Sequence, residues 1–425
     1  MAEQEAKKRV GLLGGFRDFL RNQSRNFKVF LLRDTITTLF GNMAGRYSSI
    51  YMYALGASAV EIGALSSTLS LVRTLLSIPG GILTDRVKRI KGLYLIGRLL
   101  MLPVNLIKAM AQTFNVYFYS RIWEVMTWRV TMPTSNIINI ASLRNEDRVK
   151  GLVMRRTITS AVGLAAPLIA AYAVTYFGGL DNPDAFRPLF LIQFVVSLLV
   201  FGVLALGLEE PEFERSEPEP NVLKATFGIL NQVPGLKMLL LMSVVRTFFI
   251  NIRMPYIQLY AKEIKNADAF IIGFQGTVST AVTLFFSAPI GQLADRVGRR
   301  KLAYASQVVM AACVLAAVLT PPEHPEWLLL YSLLASLGGA MDIGWWAFQQ
   351  EYVPLSMRGR WSGLSTMVTA LVGVPAPYIG GLIWEYNPDL LWWLSFVFYG
   401  FLAIPLRMSV PDRKETVTED EASGT

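Results

Sequence analysis

Charged side chains embedded in long apolar stretches are where this sequence could do chemistry, because an ion in hydrocarbon is costly unless it faces protein or water. Three carboxylates, Asp34, Glu124 and Asp342, lie well inside such stretches, as do the cations Arg33, Arg46, Arg73, Arg121, Arg129, Arg246 and Arg253. Counting roughly 1.5 Å of helical rise per residue from the middle of each stretch puts Arg46 level with Glu124, and Arg246 level with Asp342. Two intramembrane ion pairs are therefore expected, Arg46 with Glu124 and Arg246 with Asp342. In one reading such pairs only hold helices together. In the other, a carboxylate takes a proton from one side, frees its arginine for an anionic substrate group, and releases the proton on the other side, since burial and a nearby guanidinium act on its proton affinity in opposite directions.

Arg129 and Arg253 are left without a carboxylate of their own. Unpaired guanidinium groups favour an anionic substrate, whose carboxylate or phosphate they bind through two parallel hydrogen bonds. The competing reading is that they snorkel to water, as Lys108 and Arg187 near the outer ends of their stretches are expected to do. Asp34, beside Arg33 and level with Asn136 and Asn139, belongs either to a cavity floor or to a local polar cluster. Trp345 and Trp346, directly after Asp342, are the aromatic candidates for a cavity wall, and most other aromatics read as packing. Cys313 is the only cysteine and His324 the only histidine. No intramolecular disulfide, His/Cys metal cluster or histidine proton relay can be built from them. With no nucleotide-binding Gly-x-x-x-x-Gly-Lys-Ser/Thr loop either, neither metal nor cofactor is expected, and transport by this chain alone would be driven by a gradient.

The elements that must position these residues are membrane helices. The 425 residues are 53% hydrophobic and 17% charged, with a mean hydropathy of +0.41, too apolar for a soluble chain of this length. A spanning helix needs about 20 apolar residues. Twelve stretches qualify: 28–54, 59–83, 92–112, 115–141, 152–177, 187–208, 237–261, 269–292, 301–320, 326–350, 361–384 and 390–409. The short alternating segments of a membrane β-barrel are not seen. Lys and Arg collect in the connections after even-numbered stretches, which predicts that this side, with both termini, is cytoplasmic. The net charge of +9 is thereby topogenic, and nucleic acid is not an expected partner. Arg17, Arg21 and Arg25 interrupt every apolar core that a cleavable signal would need, so the N-terminal segment is expected to stay in the mature chain.

The expected organisation is a cytoplasmic segment with an interfacial helix over 1–27, a six-helix bundle over 28–208, a cytoplasmic linker over 209–236, a second bundle over 237–409 and a tail over 410–425. The linker opens with glutamates interleaved with Pro211, Pro218 and Pro220, a solvated composition. The halves repeat. Arg46 and Tyr53 fall on Arg253 and Tyr260 at an offset of 207, and Gly63, Gly81, Asp85 and Arg86 fall on Gly273, Gly291, Asp295 and Arg296 at an offset of 210. Parallel repeats of this kind place a substrate site at their interface, near the midplane.

The repeated hinge reads Gly81-Ile82-Leu83-Thr84-Asp85-Arg86-Val87-Lys88-Arg89 in the first half and Gly291-Gln292-Leu293-Ala294-Asp295-Arg296-Val297-Gly298-Arg299-Arg300-Lys301 in the second. With these residues the chain resembles the major facilitator superfamily of secondary transporters along nearly its whole length. The family signature, Gly-x-x-x-Asp-Arg/Lys-x-Gly-Arg/Lys-Arg/Lys, is met throughout 291–300, whereas in the first copy Lys88 replaces Gly and Ile90 a basic residue. Arg121, Glu124 and Pro133 follow the family's spacing in the fourth helix, with Glu where Gln is usual. The antiporter motif Gly-Pro-x-x-Gly-Gly is reduced to Ala166-Pro167-Leu168-Ile169-Ala170-Ala171, with Ala376-Pro377-Tyr378-Ile379-Gly380-Gly381 in the eleventh helix. For both segments close helix contact through small residues is the favoured reading.

The resemblance implies an all-α membrane protein of twelve transmembrane helices in two pseudo-symmetric six-helix bundles, with the first, fourth, seventh and tenth helices around a central cavity. It also implies a cytoplasmic latch formed by Gly81, Asp85, Arg86, Arg89, Gly291, Asp295, Arg296, Gly298, Arg299 and Arg300. There an Asp, unfavourable at its own helix C-terminus, is stabilised by a helix N-terminus of the other bundle, near Gly363 for Asp85 and near Gly151 for Asp295. The expected function is secondary transport of a small organic anion by alternating access across the cell membrane. Asp342, with Glu124 or Asp34, would couple it to protons, and a monomer would suffice. The alternatives are multidrug or amphiphile efflux by proton antiport, and a receptor or scaffold that keeps the fold without transporting.

Overall fold

The computed structural model describes residues 19–41, 43–77, 79, 87, 89–143, 147–211, 228–230 and 232–410. The tail from 411 on, most of the linker, and Gly81, Asp85 and Arg86 of the first hinge lie outside the described residues. So do Leu12, Leu13 and Phe16 of the expected interfacial helix. The described residues form helices joined by short turns, with no strand among them.

Twelve helical rods follow one another among the described residues. In the first half they are α1 (Arg25–Ile36, the π-helical turn Thr37–Gly41, then Ser48–Ala54), α2 (Ala59–Leu75), α3 (Ile90–Met110), α4 (Phe114–Ala141), α5 (Arg148–Gly163 and Ala166–Tyr176) and α6 (Arg187–Gly207). The second half holds α7 (Leu236–Arg253 and Ile257–Glu263), α8 (Ala269–Val297), α9 (Arg299–Leu319) and α10 (Leu328–Tyr352). It ends with α11 (Arg358–Gly373 and Ala376–Tyr386) and α12 (Pro388–Val397, the π-helical turn Phe398–Leu402, then Ala403–Met408). Among the described residues nine of these rods, α3 and α5 to α12, are long and apolar enough to cross a membrane by length and composition.

Local chemistry sets the rod ends. Ser58 and Glu61 form a reciprocal capping box that starts α2, the Ser58 hydroxyl accepting from the Glu61 N–H at 3.2 Å and the Glu61 carboxylate from the Ser58 N–H at 2.8 Å. Asp268 caps α8 by accepting from the Ile271 N–H at 2.7 Å. Gly298, at φ +100°, is the single hinge residue between α8 and α9, a backbone state that suits glycine. Prolines mark the breaks: Pro167 in α5 and Pro377 in α11 stand in the first turn of the new segment, and Pro255 stands in the 3-10 turn Met254–Tyr256 between the two segments of α7. The break in α1 has no proline and is made by its π-helical turn and the 3-10 turn Gly45–Tyr47.

Within the first bundle α3 packs on α4 and α6; within the second α10 packs on α8 and α9, and α7 on α11. Between bundles the main contacts are α2 with α11 and α5 with α8. They are concentrated at the end carrying the α1–α2 and α7–α8 connections. A Cβ on Gly63 would lie 2.4 Å from the Pro377 carbonyl oxygen, and one on Gly273 would lie 2.7 Å from that of Pro167. Tyr47 donates to the Ala269 carbonyl at 2.9 Å, and the Tyr256 hydroxyl lies 2.7 Å from the Pro377 oxygen and 3.1 Å from that of Ala59. Ala59, Gly63 and Pro167 map onto Ala269, Gly273 and Pro377 by the same step of 210 residues, so the seam is built twice about one pseudo-twofold axis. The small residues of the two Ala-Pro segments are what permit it, since helices in lipid are held by close van der Waals fit more than by a hydrophobic drive.

The opposite end, which carries the charged hinge, is arranged differently. Asp295 is largely exposed and pairs at 3.6 Å with Arg299 of its own hinge, while Arg299 reaches Glu351 of α10. Gly151 packs on Leu143 and Phe27 of its own bundle. Among the described residues the expected contact of Asp295 with the helix start at Gly151 is therefore not made, and the main contacts between the bundles lie toward the other end.

Candidate substrate site

In the second bundle the carboxylate of Asp342 on α10 sits between two guanidinium groups. Arg246 of α7 approaches one oxygen at 2.5 Å and Arg407 of α12 the other at 2.5 Å. The Arg246–Asp342 pair expected from depth is present. Arg407 is the member that sequence reasoning missed. It is fully buried, donates to the Ala303 carbonyl and to Ser306, and stacks 4.6 Å over Trp345. Arg246 keeps about a third of its side chain accessible (34%). One cation is enclosed behind the acid and the other is partly accessible.

The same plan recurs in the first bundle. Glu124 of α4 is bonded by Lys108 of α3 at 2.8 Å and by Arg121 one turn before it. Lys108 is buried and does not snorkel, because its ammonium finds this carboxylate inside the bundle. Arg46 does not reach Glu124. Its Nε donates at 2.7 Å to the Ile272 carbonyl of α8 across the seam, since the turn Gly45–Tyr47 rotates it out of the register that depth counting assumed. Arg187 pairs at 3.1 Å with Asp184.

Asp34 also has two cations, Arg33 beside it and Arg155 of α5 at 3.2 Å. Arg33 donates to the Tyr94 hydroxyl at 2.6 Å and to Ser135 at 3.2 Å, and Arg155 to Asn139. Asp34, Asn136 and Asn139 thus come together as expected, lining a cavity of ≈ 310 Å³ that is also a salt-bridged cluster.

Two larger cavities adjoin. One of ≈ 610 Å³ lies between α1, α2, α3, α4 and α6 and is lined by Arg73, Arg98, Arg121, Arg129, Glu124 and Trp128, with Asn105, Gln193 and Ser197. The second, of ≈ 580 Å³, lies between the bundles and is lined by Arg46, Arg73, Arg121, Ser49, Ser66, Ser70, Asn251 and Gln258. Arg73 and Arg121 belong to both. The π-helical turn Thr37–Gly41 contributes Thr37 to the first cavity and to the Asp34 cavity; such a turn widens a helix and marks many functional sites. Volumes of this order suit metabolite-sized ligands.

The remaining sequence candidates fall elsewhere. Arg253 is buried 4.7 Å over the Trp392 ring, with Nε and Nη1 unpartnered. Trp345 is buried and Trp346 mostly exposed, and neither lines the three cavities around the arginines; the wall aromatics are Trp128 and Tyr94. Of the hinge residues, Gly291 has open space around it, Arg296 and Arg89 are exposed, and Arg300 donates to Tyr304 and to the Val410 carbonyl at 2.7 Å each.

Two helical bundles packed face to face around polar, arginine-lined cavities define a multi-pass membrane transporter. The chain belongs to the Major Facilitator Superfamily, whose family model matches residues 35–252 and again 239–424. It is a secondary transporter that handles a small-molecule substrate, and not an enzyme. Among solved structures, that of the nucleoside transporter NupG is similar at 15% identity and a TM-score of 0.72, covering 91% of this chain and 98% of that one. A bacterial homologue of the iron transporter ferroportin in an inward-facing state is similar at 14% identity and a TM-score of 0.72, covering 92% and 99%. A bacterial homologue of the human lysosomal transporter Spinster, inward-facing and occupied, is similar at 15% and 0.64, covering 90% and 92%. At these identities the likeness is one of fold. Among curated proteins none matches.

Proposed function

We propose that this transporter carries a small organic anion across the cell membrane by alternating access, as a monomer with both termini in the cytoplasm. The observation that carries the reading is the lining of the two adjoining cavities: five arginines, Arg46, Arg73, Arg98, Arg121 and Arg129, against one carboxylate among the described residues, Glu124. In that orientation the end where the bundles meet through Gly63 and Gly273 is extracytoplasmic, and the end that carries Asp295 faces the cytoplasm. Rocking of the bundles would break the glycine and tyrosine seam and bring Asp295 onto the other bundle.

Coupling to protons follows from the carboxylate clamps. A substrate anion that draws Arg246 away leaves Asp342 facing Arg407 alone, and a proton can take the vacated place. Glu124 and Asp34, each with an open arginine, are the counterparts in the first bundle. The test is flux in proteoliposomes under an imposed pH gradient, with organic anions and hydrophobic cationic dyes in parallel. Anion uptake that follows the gradient, and loses that dependence in Asp342→Asn, supports the reading. Movement of dyes without anions ends it.

A further inference from the structure

Taking the organic-anion reading as its basis, we infer that the transported anion carries at least two formal negative charges, on paired carboxylates or on a phosphoryl group. The argument is one of charge balance inside the membrane. Each intramembrane carboxylate is already matched to two cations: Asp34 to Arg33 and Arg155, Glu124 to Lys108 and Arg121, Asp342 to Arg246 and Arg407. No acid among them is left over for the others. Arg73, Arg98 and Arg129 line the ≈ 610 Å³ cavity with no ion pair among the described residues, and the Nε of Arg129 is enclosed without a partner.

A monoanion entering this space would neutralise one of these groups and leave the rest repelling one another in a medium that screens poorly. An anion with two or more charges answers several at once, and the guanidinium fork suits both carboxylate and phosphoryl oxygens. The neutral lining fits the remainder of such a molecule: Ser49, Ser66, Ser70, Asn251 and Gln258 offer hydrogen bonds to hydroxyl or carbonyl groups in the part between the bundles. Because Arg121 touches both cavities, a ligand with charges at two ends can be held by the first bundle while its body reaches the second.

The experiment is ligand-dependent melting of the intact chain in nanodiscs of zwitterionic lipid, which removes anionic headgroups as competitors, at matched ionic strength. Succinate is compared with succinamate, which keeps the skeleton and loses one charge, and glycerol 3-phosphate is compared with glycerol. Succinate or glycerol 3-phosphate should raise the melting temperature, succinamate should bind at least about tenfold more weakly than succinate, and glycerol should leave it unchanged. Whichever dianion wins identifies the charged group. Arg73→Gln, at an exposed side chain without an ion pair, and Arg129→Gln should each erode the discrimination while the unliganded melt holds. Equal binding of succinate and succinamate overturns the multivalent inference and leaves the anion reading standing. No response to any anion overturns both.

Discussion

Replacing Gly63 with Ala tests whether the seam at the sealed end sets the balance between two states. The added Cβ would stand 2.4 Å from the Pro377 carbonyl oxygen and 2.4 Å from the Tyr256 hydroxyl. The tyrosine can turn aside, but the carbonyl belongs to α11 and cannot. Restoring an ordinary contact means moving α2 and α11 apart by about 1 Å, an overpacking strain of about 1–3 kcal/mol. Alanine also favours the helix by up to about 1 kcal/mol. That gain is the same in both states because α2 stays helical, so it cancels from the comparison. The strain does not cancel, and the population should shift about 5- to 150-fold toward opening of the sealed end. Gly339→Ala, where nothing lies within 4 Å, controls for propensity. Spin labels at Tyr176 and Phe270 in a Cys313→Ala background read the other seam, α5 with α8, so local repair around Gly63 cannot imitate rocking. A second pair at Val149 and Val297 reads the open end. Gly63→Ala should add a longer distance at the first pair and a shorter one at the second. Unchanged distributions at both pairs, in a protein that still folds, would refute the reasoning.

The carboxylate clamps predict unequal losses. Asp342→Asn strands the fully buried Arg407 without a counter-charge and should lower stability by about 3–5 kcal/mol, whereas Arg246→Gln leaves Asp342 with Arg407 and should cost about 1–2 kcal/mol; thermal melting that ranks them equally contradicts the division into anchor and movable partner. Tyr47→Phe and Tyr256→Phe each remove a hydroxyl that binds across the seam and should each weaken the sealed end by about 1 kcal/mol, read as more of the long distance between the labels on α5 and α8. Among the described residues Asp295 pairs only with Arg299 of its own hinge, so Asp295→Asn should leave the melting temperature unchanged yet reduce the shift produced by Gly63→Ala, because its latch forms only once the bundles have rocked.

Hydropathy made the rods legible, and residue types at the two hinges made their grouping legible. Gly298 is needed where α8 turns into α9, and the small residues beside Pro167 and Pro377 are needed where bundles touch. Depth alone found Arg246 with Asp342, because α7 and α10 both run as unbroken helix at those residues. Depth failed for Arg46, since height along a helix says nothing of direction around it and α1 is broken without a proline to announce it. Lys108 was misjudged for a related reason: near a helix end, water and a carboxylate within the bundle are both in reach, and only packing decides. Arg407 lay close to the end of the last stretch as counted, near enough to look like an anchor at the surface. The signal that could have found it is a lone cation in an otherwise apolar span.

That oversight changes the mechanism and not only the inventory. With a single partner, Asp342 could release Arg246 only by taking a proton first, since an unpaired buried carboxylate would be left behind. With Arg407 buried behind it, the acid never stands alone, and Arg246, a third of whose side chain is accessible, can exchange its carboxylate for one on the substrate at little cost. Lys108 gives Glu124 and Arg121 the same freedom in the other bundle. Substrate binding is then the first event and proton uptake the consequence, an order that makes a direct demand: at constant pH, with no gradient, a dianion should still bind Asp342→Glu but not Arg246→Gln together with Arg121→Gln, since the arginines and not the acids hold the ligand. Binding that follows the acid and ignores both arginines would reverse the order.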